Sequence, residues 1–115
     1  MKIYDLREKV VFSSEKPVKI HFLNAKGFHA ALICLKNGVE IKPHPEDYGV
    51  FLTVLEGRGI FTDSNGSFPL GKNQSIYIKK GEVRGIKPEE DLVVLGIQDR
   101  TNGGMKMADA KQVSA

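Results

Sequence analysis

A single cysteine, Cys34, leaves no possibility of an internal disulfide, and nothing in the sequence asks for an oxidising compartment. Charge of one sign is also scarce. The 17 Lys plus Arg nearly balance 14 Asp plus Glu, for a net +3. The lysines are scattered and form no basic stripe with interleaved aromatics, which argues against a nucleic-acid partner. No apolar run approaches the length of a membrane span, so no membrane partner is expected. The first nine residues lack the apolar stretch of a signal peptide, and a cytoplasmic location follows as the expectation. There is no internal repeat or low-complexity block. Between residues 18 and 98 no segment carries a helical period.

What is present is a sequence of short apolar runs punctuated by Gly, Pro, Asn and Asp. With 115 residues and 41% hydrophobic residues, the chain suits one domain, burying about two thirds of its unfolded surface. Lys9 to Phe12 is a short β-prone run. Val18 to Leu23 alternates, with Val18, Ile20 and Phe22 on one face and Lys19 and His21 on the other. Phe28 to Leu35 reads as a buried strand holding Cys34, a small hydrophobe there and not a nucleophile. Asn37-Gly38 is a turn, and Val39 to Pro43 is a strand ending before His44. Val50 to Leu55 is the most apolar segment. Ile60 to Thr62 and Ser67 to Leu70 flank the hairpin turn Asp63-Ser64-Asn65-Gly66. Ser75 to Lys79, Val83 to Lys87 and Leu92 to Ile97 complete the strands. Short strands at regular spacing predict an all-β protein of two packed antiparallel sheets. Residues 1–98 form this domain with a short N-terminal arm. Residues 99–115 are a C-terminal tail, in which Met105 and Met107 are available to a neighbouring subunit.

Two stretches carry a family resemblance. Gly38-Val-Glu-Ile-Lys-Pro-His44-Pro-Glu46-Asp-Tyr-Gly-Val50 continuing to Gly57 is similar to the first cupin motif, in which a glycine precedes a His-x-His pair, a glutamate and a second glycine. Asn73 to Arg84 is similar to the second motif, with Asn73 in place of a glycine, Lys79 in place of a proline and Gly81 retained. The resemblance covers roughly residues 18 to 98. It implies a cupin-like double-stranded β-helix, or jelly-roll barrel, of the small single-domain kind.

The resemblance also implies where a metal site would lie, and here the chain departs from the pattern. Of the family's ligand positions only His44 is a histidine. Glu46 stands at the second histidine position, Val50 at the glutamate and Arg84 at the last histidine. His44 and Glu46, two apart on a strand, share a face and offer two donors for a divalent metal, with His21 and His29 as further donors on earlier strands. Arg84 is a fixed cation at the remaining position. Two structural readings stand beside these: a rim histidine at His44, and an internal Glu46–Arg84 salt bridge. The favoured expectation is a degenerate metal site that has become a pocket for a small anionic ligand. Arg84 anchors it, His44 and Glu46 are further polar contacts, and Phe28 or Ala31, Val50, Leu52, Val54 and Ile76 form the walls. The alternative is a metal-dependent isomerase, epimerase or dioxygenase using His44 and Glu46, or a metal-free acid–base pair of the same two residues. Small cupins pair through their sheets, so a homodimer is expected. The apolar residues on both faces of Val50 to Leu55 agree with that, or with cover by another part of the same chain.

Overall fold

The computed structural model describes residues 1–99, which form nine antiparallel strands. These are β1 (Val18–Asn24), β2 (Phe28–Leu35), β3 (Ile41–Pro45), β4 (Val50–Glu56), β5 (Arg58–Asp63), β6 (Gly66–Gly71), β7 (Ser75–Ile78), β8 (Val83–Pro88) and β9 (Leu92–Asp99). Five pair in the order β1-β2-β9-β4-β7 and four in the order β3-β8-β5-β6. The two sheets pack over a shared core, as the strand spacing predicts, in the jelly roll that the resemblance implies. The expected tail, with Met105 and Met107, lies outside the described residues.

The turns carry the backbone geometry that the motifs imply. Gly57, between β4 and β5, has φ +82°, and a Cβ there would lie 2.1 Å from the Asp91 carbonyl oxygen. Only glycine fits, because both the left-handed backbone and the close approach exclude a side chain. Asn73, standing in for a motif glycine, keeps the left-handed conformation at φ 71°. Asparagine tolerates that region better than other non-glycine residues.

The core follows from strand alternation. Val50, Leu52 and Val54 of β4 point between the sheets and meet Ile33 and Leu35 of β2, Leu92 and Val94 of β9, and Ile41, Phe61 and Ile86 of the opposite sheet. Each such side chain contributes about 1.5–3 kcal/mol when fully buried. Strand register arranges the inward residues of the larger sheet in rows. One row is His29, Gln98, Val50 and Ile78. The next is His21, Ala31, Gly96, Leu52 and Ile76. A third is Lys19, Ile33, Val94 and Val54. Leu35 pairs with Leu92 at the far end.

A second apolar cluster covers the outer face of the same sheet. It joins Leu32, Cys34 and Val93 to Val18, Ile20, Phe22 and Leu55, with Val10 and Phe12 of the N-terminal arm laid over them. The apolar side of β1 therefore faces outward under the arm, and its polar side, with Lys19, faces the interior. Burial raises the Cys34 thiol above its ordinary range, in keeping with a packing role.

Three local expectations are corrected. Lys9 to Phe12 is not a strand. A single 3-10 turn spans Leu6–Lys9, capped by Asp5, whose carboxylate accepts the Arg7 N–H at 3.1 Å. Val10 and Phe12 then bury their side chains without joining a sheet. The strand predicted to stop before His44 instead runs from Ile41 through Pro45 and carries His44 within it, because β8 pairs alongside and fixes His44 opposite Arg84. Phe28 is no interior wall. It opens β2 on the outward side and is 39% exposed.

Candidate functional site

An open cleft of ≈ 510 Å³, measured out to its mouth, lies between the sheets at one end of the barrel. Its walls are apolar, from Ile33, Val50 and Leu52 on the larger sheet and Ile41 and Ile86 on the smaller. Ala31 and Gly96 leave its middle open. A Cβ on Gly96 would already touch Leu52 Cδ2 at 3.3 Å and Ile33 Cδ1 at 3.7 Å. Val54 and Ile76, expected as walls, belong instead to the packed core and its margin.

Five polar side chains reach this cleft: Lys19, His44, Tyr48, Arg84 and Gln98. Arg84 is 7% exposed. Its Nη2 donates to the carbonyls of Tyr48 at 2.8 Å and Lys79 at 3.0 Å, and at 3.5 Å to that of Glu82. The guanidinium lies 5.0 Å from the centroid of the Tyr48 ring, a cation–π arrangement. Three carbonyls and a ring face thus fix one end of the fork. Its Nε and Nη1 are buried and make no hydrogen bond, and neither does Gln98 Oε1. Burial disfavours the Arg84 charge, and nearby Tyr48 and Glu46 favour it. Tyr48 is itself pushed up to about 12, first by burial and then by Glu46. The lysines around Arg84 in sequence, Lys79, Lys80 and Lys87, are exposed on the rim.

The anticipated Glu46–Arg84 salt bridge does not form. Glu46 turns to His44, whose Nε2 lies 2.7 Å from Glu46 Oε2. The other ring nitrogen, Nδ1, lies 2.8 Å from the Lys42 carbonyl oxygen. Both ring nitrogens thus face oxygens. The two bonds form together when the ring is an imidazolium, or when the carboxyl holds the proton. The pair is held at the rim by these two contacts, and no carboxylate is ion-paired with Arg84 among the described residues.

The donor set does not fit a metal. A first-row ion requires three or four convergent imidazole, thiolate or carboxylate donors. Among the described residues no three His, Cys, Asp or Glu side chains converge. His44 and Glu46 are engaged with each other, Val50 has no donor, and the Arg84 cation sits directly across from His44. His21 and His29 do not complete the set. They face the interior from β1 and β2 and hydrogen-bond to each other, His21 Nδ1 with His29 Nε2. Burial first, then His29 and Lys19, lowers the His21 pKa to about 4.

Lys19 is the residue that sequence reading passed over as a site member. The signal was there in the β1 alternation, but which face turned inward was decided by the arm that covers the other. Its amine has no hydrogen bond or ion pair among the described residues. Burial lowers its pKa, Glu46 opposes that shift and Arg84 adds to it.

The sequence matches no family model and no curated protein. Solved structures resemble the chain closely in shape. An RmlC-like cupin protein from Desulfovibrio desulfuricans superposes with a TM-score of 0.78 at 22% identity, covering 86% of this chain and 96% of that one. A conserved protein with a double-stranded β-helix domain from Klebsiella pneumoniae gives 0.80 at 22% identity, covering 90% and 94%. A cupin 2 conserved barrel domain protein from Leptotrichia buccalis gives 0.75 at 19% identity, covering 84% of this chain and 47% of that one. The fold is the cupin double-stranded β-helix, in its small single-barrel form. No helix among the described residues is long and apolar enough to cross a membrane.

Proposed function

We propose that this protein binds a small anionic molecule in the barrel, with Arg84 as the anchor. One observation carries the reading: a buried guanidinium held by three backbone carbonyls, with Nε and Nη1 unbonded and no carboxylate paired to it among the described residues. A buried cation with open donors favours an anionic partner, and a carboxylate or phosphate matches the geometry of the fork. Lys19 adds an amine donor to the same cleft, and the apolar walls suit a small carbon body. The His44–Glu46 pair favours a second reading, that the bound molecule also undergoes proton transfer, since a hydrogen-bonded imidazole and carboxylate are groups that acid–base chemistry uses.

The test is a thermal-shift screen of carboxylates, sugars and phosphates, followed by calorimetry on the hits. Arg84→Met should fold and lose affinity for anions by tenfold or more, about the ~1.5–3 kcal/mol of a charge-assisted hydrogen bond. Unchanged affinity in a folded Arg84→Met protein would remove Arg84 as the anchor. We propose further that the protein acts in the cytoplasm as a homodimer. The dimer reading is supported by the outward row Ile97, Phe51 and Tyr77, which the N-terminal arm leaves uncovered. Phe51 is 45% and Tyr77 55% exposed there.

A further inference from the structure

We infer that Lys19 is a reactive amine, which forms an imine with the carbonyl carbon of a small oxo acid whose carboxylate rests on Arg84. The inference rests on the anion reading above and adds a covalent step to it.

The placement of Lys19 is the first support. Its register partner is Ile33 and it lies on the inward face of β1, in a cleft walled by Ile33, Ile41, Val50 and Leu52. A lysine that serves solubility points to water. This one points between two sheets while Val18 and Ile20 beside it point out to the arm. The second support is the missing counterion. A structural lysine in such a position pairs with a carboxylate, yet the nearest candidate, Glu46, is bonded to His44. An amine must be neutral to attack a carbonyl. Burial in an apolar cleft disfavours the ammonium form, Glu46 opposes that and the Arg84 guanidinium adds to it, and such desolvation is how lysine nucleophiles are activated.

The third support is that the other groups the chemistry needs line the same cleft. Arg84 orients the carboxylate, and His44, bonded to Glu46, supplies an imidazole as a proton relay. The Lys19 lone pair attacks the carbonyl carbon, a C–N bond forms, and the carbonyl electron pair moves onto oxygen. The two amine protons pass to that oxygen, with His44–Glu46 as the relay. The C–O bond then breaks as water leaves, and the nitrogen lone pair closes the C=N bond. Amine and carbonyl compound give imine and water, with no oxidant or reductant.

The experiment uses the full chain with pyruvate, the simplest 2-oxo acid, and sodium cyanoborohydride to trap the imine. Intact mass and peptide mapping are the readouts. The expected result is one adduct per chain, located at Lys19, formed well before any at the exposed Lys26 or Lys36. Lys19→Met and Lys19→Arg should abolish it. Arg84→Met should slow trapping of pyruvate far more than trapping of hydroxyacetone, which has a carbonyl but no carboxylate. An adduct spread over exposed lysines, or none at Lys19 of the unmodified sequence, overturns the inference, and this holds even if a Lys19 variant fails to fold. Lactate, with the same shape and no ketone, separates the two proposals. If lactate and pyruvate both bind through Arg84 and no adduct forms at Lys19, the imine is wrong and the anion site stands. If neither binds, both are wrong.

Discussion

The two ends of the barrel interior are built from the same strands and do opposite things. At one end Leu35, Leu92 and Phe61 close with no exposure at all, and large side chains from both sheets interlock. At the other, six residues along β2 and β9 from Leu35 and Leu92, stand His29 and Gln98, with Arg84 of β8, all buried and all polar. Between them Leu52, Ile33 and Val50 close over Gly96, where an added Cβ would meet Leu52 at 3.3 Å. The closed end holds the sheets together, and the open end leaves Arg84 Nε and Nη1 and Gln98 Oε1 buried without a hydrogen bond. Buried polar groups without partners cost roughly 1–3 kcal/mol each. A small domain whose net stability is only about 5–15 kcal/mol has little room for them, unless a ligand supplies the partners.

The sharpest way to break this contrast is at the closed end. Phe61→Ala should cost ~3–5 kcal/mol in urea unfolding, because it opens a cavity in the best-packed part of the core. A cost under about 1 kcal/mol would mean that end is no better packed than the other. Filling the open end should do less to stability and more to binding. Gly96→Leu puts a side chain where even a Cβ meets Leu52 at 3.3 Å. It should cost ~1–3 kcal/mol by overpacking and abolish anion-induced thermal shifts. Retained binding in a folded Gly96→Leu protein would place the ligand elsewhere.

Acid should weaken the polar end selectively. His21 is held at about 4 in the folded protein, below the ordinary imidazole value of about 6.5. The unfolded chain therefore takes up the proton first. The stabilisation from a neutral His21 is complete above the unfolded value and is lost as pH falls from about 6.5 toward 4. Melting temperature measured at pH 7 and pH 5 should drop in the unmodified protein and drop less in His21→Phe. Equal drops would show that His21 is not the group responsible. The smallest effect is expected outside the barrel. Phe51→Ser should leave folding nearly untouched and shift a sizing-column peak from dimer to monomer. A monomer before mutation would refute the paired-sheet reading.

Much of this contrast was legible before any coordinates. The apolar runs at Phe28 to Leu35, Val50 to Leu55 and Leu92 to Ile97 appear as β2, β4 and β9 with shifts of two residues at most. The reason is physical: period-two alternation and turn residues are local, and short strands read directly from them. Arg84 as a buried cation was also legible, since it stands where the family's pattern has a ligand. The partners were not. Glu46 was within reach of either His44 or Arg84 by sequence, and its bond to His44 is set by where β3 places both side chains. Phe28 and Val54 were misassigned as walls because alternation identifies two faces without saying which part of the inner one a cavity reaches.

By itself the sequence determined an all-β chain, its strands and turns and the glycine at Gly57. Only the tertiary structure decided that Lys19 faces inward. β1 has one apolar and one polar face, and each has something to bury against. The N-terminal arm takes the apolar face with Val10 and Phe12, which leaves Lys19 and His21 to line the barrel. Local pattern fixes which residues share a face, but the side that turns inward depends on which neighbour, distant in sequence, covers the other.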